Sequence, residues 1–386
     1  MYDYHERMFL ARLSLKNFRN HKNSTFEFNK KTNVLLGENG QGKTNVIEGI
    51  AYLSLTKSFY ATHDAYAVNL GQNLFEVEGI FIKDSYREYS VRLAYSLEKR
   101  EKIYSINKGV VEQLTNVIGR FPLVICSPEH APITSEGPSE RRKFVDLILS
   151  QSNATYFKNL IDYRKVLRQR NAILLEGLKS KKNIDEELEP WTEQLLRHGS
   201  YIMLKRKQFI GEFGEFITIA YKKIVNESEE PSLEYEPSID VRDASSDSDI
   251  YELFKKKIIE KSNEEKKMGT SLLGPHRDEF KLMINNLDLR GYASQGQHKT
   301  FLVAMKIGEF RYLLERCGEP PVLLLDDIFS ELDSERSSNL LSYTGTLSQT
   351  FITTTNPISF ENVLTDQNDV TTFYIKNGIV EKYEPV

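Results

Sequence analysis

Eight residues, Gly37-Glu38-Asn39-Gly40-Gln41-Gly42-Lys43-Thr44, carry the clearest chemistry in this 386-residue chain. They fit the spacing G-x-x-x-x-G-K-[ST] of a phosphate-binding loop. Glycines in such a loop let backbone N–H groups turn inward around an anion, and a helix N-terminus behind them faces the same charge. The expected ligand is a nucleoside triphosphate. All eight are candidate contacts, with Lys43 reaching the β- and γ-phosphates and the Thr44 hydroxyl ligating Mg²⁺. Far downstream, Val322-Leu323-Leu324-Leu325 ends in Asp326-Asp327. Asp326 is the candidate to hold Mg²⁺, directly or through water. Asp327 is the candidate general base that polarises the attacking water.

These residues need particular elements around them. The apolar run Thr32-Asn33-Val34-Leu35-Leu36 predicts a buried strand before the loop, and Asn45 to Leu53 has helical periodicity after it. Val322–Leu325 predicts a buried parallel strand that delivers both acids beside the loop. Upstream, Phe9–Leu15, Ser24–Phe28, Leu74–Ile82 and Tyr89–Tyr95 alternate apolar and polar residues, which predicts antiparallel sheet. From about 139 to 225 the pattern turns to long helices. Ser139-Glu140 opens one after Pro138. Pro190 is placed in the first turn of another that runs to about Asn226, roughly 52 Å long at 1.5 Å per residue. Its stripe of Trp191, Leu195, Leu196, Ile202, Met203, Phe209, Phe213, Phe216, Ile217 and Ala220 predicts packing on a neighbouring helix. Residues 226–252 are acidic, with Pro231, Pro237 and a Ser/Asp run, and predict a loop or linker. A helix from about 250 leads back to strands.

The totals exclude several classes. With 40% hydrophobic and 27% charged residues the composition is that of a soluble globular protein, and no apolar run reaches the length of a membrane span. No secretory leader is visible, and residues 1–7 form a polar segment before Met8. Cys126 and Cys317 stand far apart, in no metal-like spacing, which fits a cytoplasmic, reducing location. The net charge of −4 requires any nucleic-acid binding to rest on a local patch.

Ser294-Gln295-Gly296-Gln297 resembles the signature motif of ABC-type ATPases, whose usual form is S-G-G-Q; Gln295 replaces the first glycine. Ser294, Gly296 and Gln297 are therefore further candidate nucleotide contacts. In that superfamily the signature completes the site of a second head, so the resemblance implies ATP buried between two protomers and an ATP-dependent homodimer. Ser330 and Asp333 lie in Ser330-Glu331-Leu332-Asp333, which resembles the D-loop crossing that interface. Thr44 and Ser294 are 250 positions apart, far more than in a compact transporter ATPase, so the head is split by an insertion. The expected class is α/β: an ABC-type P-loop ATPase head, with a mixed sheet, helices and an antiparallel β subdomain, carrying an inserted helical arm. The expected division is 8–138 for the N-terminal head part, 139–250 for the arm and 251–386 for the C-terminal head part.

The combined motifs resemble the RecF family of bacterial recombination mediators. The match runs through Leu15-Lys16-Asn17-Phe18-Arg19-Asn20, Gly37 to Thr44, Ser127-Pro128-Glu129, and Gly137-Pro138-Ser139-Glu140-Arg141-Arg142 with Phe144 and Asp146. It continues through Gly274-Pro275-His276-Arg277-Asp278, the signature, and Leu325-Asp326-Asp327. The resemblance implies an ATP-dependent protein that binds gapped DNA or junctions of single- and double-stranded DNA. It implies work with RecO and RecR in loading RecA, replication-fork repair and support of the SOS response. Glu129 sits where the family's Q-loop couples nucleotide to the arm. Three positions depart: Tyr60 replaces the arginine of K-S-[HF]-R, His298 a glutamine, and Lys299 an arginine. The switch histidine expected after Phe351–Thr355 is missing, which predicts slow hydrolysis suited to a switch, a weak DNA-stimulated ATPase.

Lys158, Arg164, Lys165, Arg168, Arg170, Lys179, Lys181 and Lys182, and the group Lys205-Arg206-Lys207, either track DNA phosphates or form a solvated helix face. An ABC transporter ATPase and an OLD-type ATPase-nuclease are the alternative classes. The split head and the Gly274–Asp278 element count against the first, and the short chain after Asp333 against the second.

Overall fold

The structure, a computed structural model, describes residues 8–83, 87–225, 229–345, 347–355 and 370–383. The polar segment 1–7 and the position after Thr355 where a switch histidine would come lie outside them. The chain folds into two compact units. One gathers the chain before Pro132, a short piece from Ile219, and the described residues from Ser294 onward. The other holds Pro132–Thr218 and Glu229–Ala293.

The first unit begins with β1 (Phe9–Phe18), β2 (His21–Glu27), β3 (Thr32–Leu36) and α1 (Lys43–Leu55). Then come β4 (Leu74–Lys83), β5 (Arg87–Ser96), β6 (Glu101–Ile106), β7 (Gly109–Val110) and β8 (Leu123–Cys126). Strands β2-β1-β4-β5-β6-β7 form an antiparallel sheet in that order. Its strands bury alternate residues, such as Phe75, Val77 and Phe81 of β4, as the period-two pattern requires.

The second unit contains α2 (Pro132–Ser135), α3 (Pro138–Ser152), α4 (Ala154–Ser180) and α5 (Asp185–Ile224), whose end from Ile219 counts with the first unit. It continues with β9 (Pro231–Glu236), α6 (Asp247–Met268), β10 (Glu279–Ile284), β11 (Leu287–Asp288) and α7 (Leu289–Tyr292). The chain then returns to the first unit with α8 (Gln295–Cys317), β12 (Val322–Leu325), α9 (Ser334–Thr344), β13 (Thr350–Thr354), β14 (Val370–Lys376) and β15 (Ile379–Tyr383). These complete a mixed sheet of order β15-β14-β3-β13-β12-β8, in which only β15 runs antiparallel. The two six-stranded sheets match the expected mixed-plus-antiparallel class.

Several expectations change in the second unit. Pro138 is itself the first residue of α3 behind the cap Gly137, because proline's missing N–H costs nothing there. Helix α5 has 40 residues and starts at Asp185, so Pro190 sits inside it rather than in its first turn. Asp185, Glu186 and Glu187 in the first turn favour that earlier start by complementing the helix dipole. Segment 231–236 is strand, not loop: β9 pairs with β10, from Pro231 opposite Ile284 to Glu236 opposite Glu279. Pro231 is tolerated because it opens an edge strand. The unit therefore extends past the expected boundary at residue 250, to Ala293.

The elements Ser139–Arg142 and Gly274–Asp278 meet in this unit's polar core. Asp278, with no exposed surface, accepts from Arg206 Nη1 at 2.9 Å, Tyr235 Oη at 2.5 Å and the Ser238 N–H at 2.9 Å. Arg206 also reaches Asp146 at 2.9 Å, to which the Tyr156 hydroxyl donates at 2.6 Å. Arg141 makes a two-pronged pair with Glu279 at 2.9 and 3.0 Å, and Arg142 donates to the Asp278 carbonyl at 2.7 Å. Gly274 has φ +122°, and a Cβ there would lie 2.4 Å from the Tyr163 hydroxyl. Arg170 is equally internal, paired with Glu265 at 2.7 Å. Lys207 is spent on the carbonyls of Val241, Arg242 and Ala244. Arg170, Arg206 and Lys207 are thus internal ties, not phosphate contacts. Lys158, Arg164, Lys165, Arg168, Lys179, Lys181 and Lys182 remain exposed.

Candidate nucleotide-binding site

The buried strand β3 ends at Leu36, and the phosphate loop follows at the carboxyl edge of the mixed sheet. Helix α1 starts at Lys43 with no side-chain cap, leaving its first N–H groups for a ligand. Gly42 is the N-cap at φ +112°, and a Cβ there would strike Asn20 Oδ1 at 2.5 Å. Only glycine meets both demands. The Lys43 ammonium, 7% exposed, bridges the carbonyls of Gly37 at 2.7 Å and Glu38 at 2.8 Å. Burial lowers its pKa, while Asp327 and Asp326 oppose that shift. Glu38, Asn39 and Gly40 form the exposed rim.

The acids do not arrive on the neighbouring strand. Strand β13 lies between β3 and β12, all three parallel and in register, with Leu325 opposite Ile352 and Leu36 opposite Thr354. Asp326, 5% exposed, accepts from Thr44 Oγ1 at 3.0 Å and from Thr353 Oγ1 at 2.8 Å. Burial raises the Asp326 pKa, and those two hydroxyls counter it. Asp327 adopts φ +53°, and its N–H donates to Thr353 Oγ1 at 2.8 Å. A hydroxyl and a carboxylate side by side are the hard oxygen ligands that suit Mg²⁺, so Thr44 and Asp326 fit the expected metal.

The loop is braced from outside by residues that lie beyond the phosphate-loop motif. Asn20 Nδ2 donates to the Gln41 carbonyl at 2.9 Å, and Asn45 donates to Asn20 Oδ1 at 2.7 Å. His21 Nε2 lies 3.1 Å from the Gly42 carbonyl. On the other flank the Asn377 N–H donates to Gln41 Oε1 at 2.7 Å, and the Gly378 N–H to the Gln41 carbonyl at 3.0 Å. Arg19 clamps the buried Glu48 of α1 with two 2.7 Å bonds, and Ser58 donates to the same carboxylate at 2.5 Å. An acid within the apolar run of α1 was the available signal for this brace. Tyr60, the departure next to Ser58, is 59% exposed.

The remaining candidates form separate features. Ser294 caps α8 in a reciprocal box with Gln297, at 3.2 and 2.7 Å, and its hydrogen bonds stay within that turn. It is exposed, and a Cβ on Gly296 would come within 3.2 Å of Arg336 Nη1. Asp333 caps α9 by accepting from the Arg336 N–H at 2.9 Å, and Ser330 donates to the Asp327 carbonyl at 2.8 Å. Glu129 is exposed on the single turn after β8, whose strand pairs with β12.

The model of the RecF/RecN/SMC N terminal domain matches residues 9–381. Over 360 residues, covering 92% of this chain and 87% of the relative, the chain is 39% identical to the DNA replication and repair protein RecF of Salinibacter ruber. It belongs to the RecF family. A RecF of Chloroherpeton thalassium is 38% identical, with 92% and 97% of the two chains covered. A solved structure of the recombination mediator protein RecF with ATP, in the RecFOR pathway, superposes with a TM-score of 0.90 at 32% identity, covering 99% of this chain and all of that one. The Smc head domain of Pyrococcus furiosus, at 13% identity and a TM-score of 0.57, shares the fold. The fold is thus the SMC/RecF ATPase head, with its mixed and antiparallel sheets. Among the described residues no helix is long and apolar enough to cross a membrane.

Proposed function

We propose that this RecF-family chain is an ATP-switched DNA-binding protein of recombinational repair and replication-fork maintenance. The observation that carries the reading is the convergence of Lys43, Thr44, Asp326, Thr353 and Asp327 at one sheet edge, in a chain so similar to RecF bound to ATP. Gly37 to Thr44 cradle the phosphates through backbone N–H groups, and Lys43 Nζ supplies the positive charge. Thr44 and Asp326 would hold Mg²⁺, which would neutralise negative charge on the nucleotide's phosphates. The Asp327 carboxylate orients the attacking water and takes its proton. Ser294, Gly296 and Gln297 close the site of a second copy, with Ser330 and Asp333 at that interface and Glu129 linking the site to the arm, residues 139–250 in the sequence division. Hydrolysis is slow, stimulated by DNA, and ends the paired state.

The partners in this reading are gapped or junction DNA, RecR and RecO, with RecA loading and the SOS response as the outcome, in the cytoplasm. Exposed Lys158, Lys165, Arg168, Lys181 and Lys182 support contacts to DNA phosphates rather than to base edges. Gapped DNA therefore binds more tightly with ATP than with ADP. Four neutralised phosphates lose about 10²-fold in affinity between roughly 50 and 200 mM salt. Fluorescence-anisotropy titration at several salt concentrations measures this. Binding that ignores both salt and nucleotide contradicts the reading.

A further inference from the structure

Strand β13 separates the phosphate-loop strand from the acidic strand, so something on β13 has to relate their ends. Thr353 is buried there at 1% exposure and has one hydroxyl proton. That proton goes to Asp326 Oδ1 at 2.8 Å, which leaves the oxygen lone pair for the Asp327 N–H, also at 2.8 Å. One side chain thus holds the carboxylate of the first acid and the backbone of the second. The backbone it holds is strained: Asp327 sits at φ +53°, a left-handed conformation uncommon for a residue with a Cβ. Thr44 shares the same Asp326 oxygen at 3.0 Å, so Thr353 at the end of β13 and Thr44 in the first turn of α1 approach one atom from two different elements.

We infer that Thr353 is a positioning residue of the Mg²⁺–nucleotide site, orienting Asp326 toward the metal and fixing Asp327 in the left-handed turn that aims it at the attacking water. The inference rests on the nucleotide reading above and deepens it. When the Thr44 hydroxyl takes up the metal, Thr353 remains as the fixed anchor of the Asp326 carboxylate. Phosphate capture by the loop and Lys43 does not pass through Thr353. Its loss therefore separates two things that a general loss of fold would move together: nucleotide binding without metal, and the metal's contribution. Partners of metal ligands are worth about 10–100-fold in metal affinity or activity. Threonine gives no sign of this in the sequence, because Thr353-Thr354-Thr355 reads as ordinary β-strand composition.

The test is a titration of a fluorescent ATP analogue into wild-type, T353V and T353S full-length chains, first in EDTA and then against increasing Mg²⁺. T353V, isosteric but unable to hydrogen-bond, keeps its metal-free affinity within about threefold, and its Mg²⁺ midpoint rises about 10–100-fold. T353S keeps the hydroxyl and stays near wild type. A T353V chain with the wild-type Mg²⁺ midpoint overturns the inference, as does a T353S chain as impaired as T353V. If T353V does not fold, T353C serves, being close in size and a much weaker donor and acceptor. A wild-type chain that binds no nucleotide in either condition overturns the nucleotide reading itself, and this inference with it.

Discussion

Asn20 shows how a residue outside the phosphate loop decides the loop's shape. Its amide bridges the Gln41 carbonyl and Asn45, and its Oδ1 fills the space where a Gly42 Cβ would stand. Each such hydrogen bond is worth about 0.5–1.5 kcal/mol. Asn20→Ala therefore weakens ATP binding about tenfold, while the thermal unfolding midpoint moves little because the side chain is only half-buried. Nucleotide titration beside a melting curve checks both; wild-type affinity in N20A contradicts the bracing role. This brace was invisible in the sequence, since Asn20 is remote from Gln41 and becomes its neighbour only when the turn between β1 and β2 meets the phosphate loop. The candidate phosphate-loop residues are legible by pattern alone, because glycine, lysine and threonine at fixed spacing follow from phosphate geometry.

At the scale of elements, the period-two and helical patterns of the first unit, and the stripe on α5, matched the observed strands and helix. Leu195, Leu196, Ile202, Met203, Phe209, Phe213, Ile217 and Ala220 are all buried. What the patterns did not disclose was non-local pairing. The acidic, proline-bearing segment 231–236 looks like a loop until β10 supplies its partner. Arg170 and Arg206 look like surface charge until Glu265, Asp146 and Asp278 close on them. Placing β13 between β3 and β12 was equally illegible, because strand order is not a local property. The polar core of the second unit makes a stability prediction. Asp278→Ala leaves the buried Arg206 Nη1, the Tyr235 hydroxyl and the Ser238 N–H without that acceptor. Removing one partner of a buried pair costs about 3–5 kcal/mol. Urea unfolding of D278A reports the loss, and an unchanged midpoint would show that the network is not load-carrying.

For the whole molecule, the chain order matters more than any single motif. The phosphate loop and the signature-like turn belong to one compact unit, although the second unit intervenes between them in sequence. Within that unit Ser294 is exposed and spends its hydrogen bonds on its own helix turn, whereas Lys43, Thr44 and Asp326 converge elsewhere on the sheet edge. The exposed Ser294 and the partly exposed Gly296 at a long helix's N-terminus are, in the proposed function, available to a nucleotide held by another copy. In the proposed function one ATP site takes residues from two protomers. Sedimentation velocity with ATP, with ADP and without nucleotide tests it most directly, using wild type, Ser294→Arg and Lys43→Ala. Wild type should form a dimer with ATP alone, S294R should bind ATP as a monomer, and K43A should lose the nucleotide. Dimers that form without ATP and survive S294R would contradict it.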